Sequence, residues 1–244
     1  MEIMSKKLKI YLGISYLLIL FIFLYFVFLQ IEVNRLNDFS YYKELQVNLD
    51  SFIGEKLYIN LLIFFVFSVV WVALLGFGSP LVIISGIFFG KWIGTFISVV
   101  SISIGALILY TITNFFFKDL INKLLHKKFS KYINLFKKNE FYYFFIFRFI
   151  GGLGLPFPLQ NTLPVIFNMK KTNYFFASIL GFIPGMFIMV SIGSGINKYI
   201  KESDNFSFIN LILSKDIYLP IVFFIILILI SLIIKKKFFN VKDQ

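Results

Sequence analysis

The 244-residue sequence contains no cysteine and a single histidine, His126. This excludes a disulfide framework, a thiolate metal site and a cysteine nucleophile, and it leaves too few ligands for zinc. Charge is also scarce. Only 15 % of residues are charged, against roughly 25 % in a soluble domain. No Asp or Glu occurs within 57–117 or 141–193, so the intramembrane carboxylate or histidine typical of proton relays is missing there. No GxxxxGK[ST] loop is present to drive transport with ATP. Gly193-Ser194-Gly195 has the outline of a serine-hydrolase turn, but no histidine is placed to act as its base. Membrane phosphatase chemistry would lack its histidines in the same way. The sequence therefore predicts a protein that is not an enzyme and that uses no metal and no cofactor.

What the chain has in excess is apolar surface. Hydrophobic residues make up 59 % and aromatic residues 20 %, with 35 Phe against two Trp. A compositional bias toward Phe, Ile, Lys and Asn accounts for the Phe excess better than an aromatic cluster does. The apolar residues lie in blocks long enough to cross a bilayer as helices, for which about 20 residues suffice. The formal charge is +12, yet only Arg35 and Arg148 among the 24 basic residues are arginine. The lysines sit just outside the apolar blocks, which fits positive-inside topology rather than nucleic-acid binding.

Ile10–Ile31 is too long for a signal-peptide core of about 7–15 residues and reads as an uncleaved first transmembrane helix. Leu57–Phe77 is apolar, broken by Gly78-Ser79-Pro80, and followed by the short piece Leu81–Gly90 and by Ile93–Phe117. Phe141–Ile150 and Leu159–Phe167 are short apolar pieces on either side of GGLGLPFP, 151–158. Tyr174–Gly193 and Ile217–Ile234 are again of spanning length. The lysine-rich stretches are 6–9, 118–140, 170–171 and 235–237; the balanced or acidic ones are 32–56 and 194–216. Placing every lysine-rich stretch inside forces Leu57–Gly90 to enter and leave by the outer face, and Phe141–Phe167 by the inner face. The predicted fold is thus an all-α polytopic membrane protein. It is an inverted repeat of two re-entrant helical hairpins, each followed by a spanning helix, flanked by N- and C-terminal transmembrane helices. The hairpin breaks are expected at Gly78 and Pro80 in one half and at Gly151, Gly152, Gly154, Pro156 and Pro158 in the other. Paired interruptions in two halves point to a transport site near the midplane. The competing reading makes Leu57–Phe77 an ordinary span that ends in a tight turn. Lys91 and Lys170 are expected on opposite membrane sides.

Arg148 is the most informative residue. It lies eight positions from Glu140, about 12 Å along a helix, in an apolar segment where a cation costs at least ~2.5–3.5 kcal/mol. Arginine offers a planar fork suited to phosphate where the chain nearly everywhere else uses lysine. The competing reading is snorkelling toward the inner face. Gln160 and Asn161 can satisfy backbone opened by the break or bind a polar headgroup, the former being the simpler role. Ser79 is a weaker substrate-binding candidate. Gly94, Ser98, Ser101 and Gly105, and likewise Ala177, Gly181 and Gly185, line single helical faces where helices can approach closely. Residues 118–138 are amphipathic and cationic, suited to the cytoplasmic leaflet; His126 falls on their polar side.

Taken in order, Ser85-Gly86-Ile87-Phe88-Phe89-Gly90 with Gly94, Phe147-Arg148-Phe149, Pro156-Phe157-Pro158-Leu159-Gln160-Asn161, Gly181-Phe182-Ile183-Pro184-Gly185 and Gly193 resemble the VTT-domain (SNARE-associated Golgi protein, DedA-like) superfamily over about residues 57–200. The resemblance implies two facing re-entrant hairpins and translocation of phospholipid or polyprenyl-phosphate lipids. Arg148 matches the first hairpin arginine of that family. The DedA branch carries acidic residues near the first hairpin and a second arginine about six positions after the first. Ser79 and Gly154 stand at those places here, which argues against proton coupling. The expected domains are an N-terminal helix and outer loop (1–56), the core with its amphipathic helix 118–140 (57–200), and an outer loop, C-terminal helix and basic tail (201–244). The expected activity is scramblase- or flippase-like lipid movement that is not ATP-driven. A small ion or solute transporter and a non-transporting membrane scaffold are the alternatives. Expected partners are membrane lipids with anionic headgroups and no nucleic acid, with a homo-oligomer left open. The expected location is a bacterial-type plasma membrane with both termini cytoplasmic.

Overall fold

The computed structural model describes residues 38–74, 77–129 and 132–238, together with Leu18 and Tyr25. Apart from Leu18 and Tyr25, the predicted first span, Ile10–Ile31, lies outside the described residues. The chain divides into two units, 1–45 and 46–244. In the first unit, Asp38 accepts the backbone N–H of Ser40 at 2.9 Å at the start of helix α1 (Phe39–Glu55), which continues into the second unit. All that follows concerns the second unit.

The described residues are helical and contain no strand. Beyond α1 the helices are α2 (Leu57–Ala73), α3 (Gly78–Phe116), α4 (Lys118–Phe129), α5 (Ile133–Lys138), α6 (Glu140–Phe149), α7 (Phe157–Thr162), α8 (Lys171–Glu202), α9 (Phe208–Leu213) and α10 (Lys215–Phe238). The chain bends by 102° between α1 and α2, and Asn60 Nδ2 pins the bend by donating to the Phe52 carbonyl at 2.9 Å. α2 buries one narrow stripe, Asn60, Phe64, Ser68 and Val72, whose four-residue spacing is one helical face. Its other faces carry exposed Ile59, Leu62, Ile63 and Val66.

α3 has 39 residues but is not one rod. Gly90 interrupts it with φ 69° and ψ 177°, a backbone region open essentially to glycine alone. On a straight helix Ser85 and Ser98 would lie about 20 Å apart. Instead Ser98 Oγ donates to Ser85 Oγ at 2.7 Å, and Gly78 lies against Ile102. The chain therefore folds back at Gly90, and arm 78–89 runs antiparallel to arm 91–116. The second arm alone exceeds the ~20 residues needed to cross a bilayer. α2 joins the same layer, with Gly105 in contact with Val69 and Val72 and Phe64 edge-on to Phe89 at 5.4 Å.

The first break is displaced from its predicted place. Gly78 and Pro80 were expected to interrupt the helix, but they form the first turn of α3, and it is upstream of them that α2 ends, at Ala73. Proline is tolerated there because first-turn N–H groups have no intrahelical acceptor. Pro158 is corrected for the same reason: it belongs to the first turn of α7. The second break spans 150–156, where Gly151, Gly152, Leu153 and Gly154 all have positive φ.

In the second half the chain breaks between α6 and α7. α6, capped by Asn139 Oδ1 on the Tyr142 N–H at 3.0 Å, leads into the glycine loop. Then α7 and a 3-10 turn (Leu163–Phe167) run back to Asn168, whose φ of 49° reverses the chain into α8. Glu140 ties the two ends together: it accepts from Asn173 Nδ2 at 2.6 Å and from the Lys170 N–H at the mouth of α8, where a negative charge suits the helix dipole. α3 and α8 are antiparallel, since Gly94 meets Val190 while Ala106 meets Tyr174. Lys91 and Lys170 accordingly stand at opposite ends of this pair. α3, α8 and α10 are each long and apolar enough to cross a membrane.

Two further expectations are revised. The stretch expected as one amphipathic helix over 118–140 holds two separate helices, α4 and α5, before α6 begins at Glu140. Part of their apolar face is covered by protein: Phe129 and Phe136 are buried, and Phe136 stacks on Phe167 at 4.0 Å. Gly185 is not a helix contact, because nothing lies within 4 Å of where its Cβ would be; Gly94, Gly105 and Gly181 do pack closely, and Ser98 and Ser101 are fully buried.

Candidate functional site

Arg148 occupies the last turn of α6 and is only 3 % exposed. Its Nη2 donates to Asn161 Oδ1 at 2.7 Å and to the Tyr174 hydroxyl at 2.8 Å. The guanidinium carbon lies 4.6 Å from the Phe182 ring, 4.7 Å from Phe144 and 5.4 Å from Tyr174. Such faces attract a desolvated cation by about 2 kcal/mol. They do not neutralise it. Both ion pairs among the described residues, Lys198–Asp216 and Lys201–Asp50, lie elsewhere. Arg148 Nε and Nη1 have no hydrogen-bond partner, and neither does Asn161 Nδ2. Buried polar groups are normally satisfied, and a buried charge without a counter-ion costs several kcal/mol. Three donor atoms without partners thus stand beside one positive charge that no carboxylate among the described residues offsets.

The surrounding elements set this geometry. Where α8 crosses α6, a Cβ on Gly181 would collide with Arg148 Cβ and sit 3.0 Å from the Phe145 carbonyl; only glycine brings the α8 backbone this near. Tyr174 is fully buried, stacks on Tyr110 at 4.6 Å, and lies within hydrogen-bond reach of the Ala106 carbonyl at 3.2 Å. The Tyr110 hydroxyl in turn donates to the Met169 carbonyl at 2.6 Å. Arg148 is thereby linked to both long helices.

The two hairpin breaks converge on the same spot. A Cβ built on Gly78, at the tip of the first hairpin, would stand 3.5 Å from the Phe157 ring of the second. A cavity of about 240 Å³ opens between them, bounded by Gly78, Ser79 and Val82 on one side and by Arg148, Gly151, Phe157 and Gln160 on the other. α8 contributes Gly181, Phe182 and Gly185, and α10 closes the side with Phe224 and Leu227.

The candidate residues fall into three situations. Arg148 and Asn161 are joined in one buried cluster. Gln160 lines the cavity, but its Nε2 donates to the Leu155 carbonyl at 2.7 Å and the Gly151 carbonyl at 3.3 Å, so it closes the glycine loop. Ser79 is exposed at the rim with no direct link to Arg148. Pro156 precedes α7 as its cap residue, and Gly154 stands in the loop with open space around it. Sequence reasoning missed Tyr174, Phe144 and Phe182, which complete the arginine's surroundings. One Tyr among 13 and two Phe among 35 carry no local signal.

Fold and site together define a class: an integral membrane protein of apolar helices in which two broken hairpins meet at a buried arginine. Residues 75–195 match the family model of the VTT domain. The chain belongs to the VTT-domain family, the SNARE-associated and DedA-like group. No solved structure matches the chain.

Proposed function

We propose that the protein binds the anionic headgroup of a membrane lipid at Arg148 and lets it cross the bilayer between the two hairpin tips, without ATP. The observation that carries this reading is the pair of unpartnered guanidinium nitrogens, Nε and Nη1, buried beside a cavity that holds no carboxylate. A phosphate oxygen pair can engage both in the fork geometry of arginine. Asn161 Nδ2 supplies a further donor and Ser79 a hydroxyl at the rim, while Gln160 keeps the loop in shape. The cavity accommodates a headgroup and leaves the acyl chains in the hydrocarbon.

On this reading Leu57–Ala73 with arm 78–89, and Glu140–Phe149 with 157–167, are re-entrant hairpins of opposite orientation. Irregular backbone at 150–156 is acceptable at membrane depth because it lines a cavity. Residues 57–200 form the working core, flanked by the segments 1–56 and 201–244. The lysine-rich ends around 118–138 and 170–171 face the cytoplasm, as do both termini, in a bacterial-type plasma membrane. Without an acidic residue in either hairpin, movement is downhill.

The test is reconstitution in liposomes with a headgroup-labelled phospholipid and a membrane-impermeant quencher. The wild-type chain should expose the inner label to the quencher, and Arg148→Ala should not. Lys127→Ala should behave as wild type. Normal exposure by Arg148→Ala removes the mechanism. Movement of a small anion without any lipid movement transfers the site to solute transport.

A further inference from the structure

Between its charged ends α10 is almost wholly apolar, from Ile217 to Ile234, yet only 11 % of its most apolar stretch is buried. Near its start it is held to α8, where Gly195 meets the Asp216 backbone and Ile217 and Lys198 pairs with Asp216 at 2.7 Å. Beyond that point the helices part, and a groove of about 730 Å³ runs between them. Its walls are Pro184, Phe187 and Ser191 on α8 and Phe223, Ile226 and Ile230 on α10. From Lys198 to Pro184 it extends about 21 Å at helical rise.

The two ends of the groove differ. One end carries Lys91, Lys198, Lys215 and Asp216, three positive charges against one negative, or net +2. Lys198 is committed to Asp216, whereas Lys91 and Lys215 are exposed and take part in neither ion pair of the described residues. The other end reaches Phe149 and Leu227, which also bound the Arg148 cavity. A positively charged mouth followed by a long apolar trough is complementary to a molecule with an anionic head and a hydrocarbon tail. An apolar helix would fill the trough but gain nothing from the lysines.

We infer that the α8–α10 groove is a binding site for one anionic phospholipid, its headgroup on Lys91 and Lys215 and an acyl chain lying against Phe187 and Phe223 toward Phe149 and Leu227. The site is separate from the Arg148 cavity and is occupied whether or not the protein translocates lipid. Phe149 and Leu227 stand between the two spaces.

The test uses the full chain in phosphatidylcholine nanodiscs with a small fraction of phosphatidylglycerol bearing a photoreactive diazirine on its acyl chain, followed by mapping of the labelled peptides. Labelling should concentrate on 184–191 and 219–230 over the lipid-facing stripe Ile59, Leu62 and Val66, and unlabelled phosphatidylglycerol should compete where phosphatidylcholine does not. Lys91→Gln with Lys215→Gln, both at exposed positions, should weaken the competition about thirty-fold. Ser191→Phe fills the trough and should abolish groove labelling with the lysines intact. Arg148→Ala should keep groove labelling while losing translocation, so failure here and failure of the translocation reading are told apart. Uniform labelling of all lipid-facing helices, persistence in Ser191→Phe, or loss in Arg148→Ala each overturns the inference. So does a photoreactive residue at position 223 that captures the chain's own residues 10–31 instead of lipid.

Discussion

A guanidinium offers five N–H groups, and at Arg148 only Nη2 is engaged by protein. Lysine would place one ammonium near Asn161 and Tyr174 and leave no fork for a ligand. Arg148→Lys should therefore fold and yet lose at least about ten-fold in lipid translocation, the order expected when a charge-assisted bond worth ~1.5–3 kcal/mol is removed. Liposome exposure rates beside a melting curve check both halves. Tyr174→Phe makes a different demand. It removes a hydroxyl within reach of the guanidinium and of the Ala106 carbonyl, which leaves buried groups unsatisfied at about 1–3 kcal/mol. A drop of several degrees in melting temperature is the expected result, and an unchanged value would show that water replaces the hydroxyl. Arg148 was legible in the sequence because it is unlike everything around it: a lone arginine among aromatics in a chain whose other cations, Arg35 apart, are lysines. Tyr174 was not, because its importance comes from crossing α6 from another helix 26 residues away, and no local pattern encodes that.

At the scale of elements, turns decide where the helices lie. The sequence announced both breaks, but it misplaced the first by a few residues, because Gly-Ser-Pro reads as an interruption when it is also a good first helical turn. The reversal at Gly90 was legible only indirectly, through the end of the short apolar piece Leu81–Gly90; no proline marks it. A single glycine suffices there because φ 69° with ψ 177° is inaccessible to other residues without about 1–3 kcal/mol of strain. Nothing lies within 4 Å of a Cβ at Gly90, so Gly90→Ala tests backbone strain free of steric crowding. We expect destabilisation of that size with translocation retained near the wild-type rate at low temperature. Gly181→Val acts through contact instead: its side chain would meet Arg148 Cβ and the Phe145 carbonyl, separating α6 from α8. Loss of a monodisperse peak on size exclusion is expected for Gly181→Val and not for Gly90→Ala.

On the scale of the whole molecule, charge and apolar blocks carried most of the architecture. A long helix after each broken pair, and the antiparallel course of α3 and α8, were readable from lysine placement and block length. The approach of the two tips was not, since it depends on where α3 and α8 cross: Gly86 lies against the Val190 backbone and Gly193 against Ile83. The chain's lack of cysteine makes that approach measurable without background. Gly78→Cys combined with Phe157→Cys removes the ring that now faces Gly78 and leaves two thiols across the gap. With a protease site inserted between Phe129 and Tyr132, a short bis-maleimide should hold the two fragments together after cleavage, and Gly78→Cys paired with Lys170→Cys should not. The same locked protein decides whether the gap is used. If headgroups pass between the tips, cross-linking must stop translocation while single cysteines carrying a monofunctional maleimide keep part of it. If the locked protein still moves lipid at the free rate, the tips meet for structural reasons alone, and the route lies on another face of Arg148.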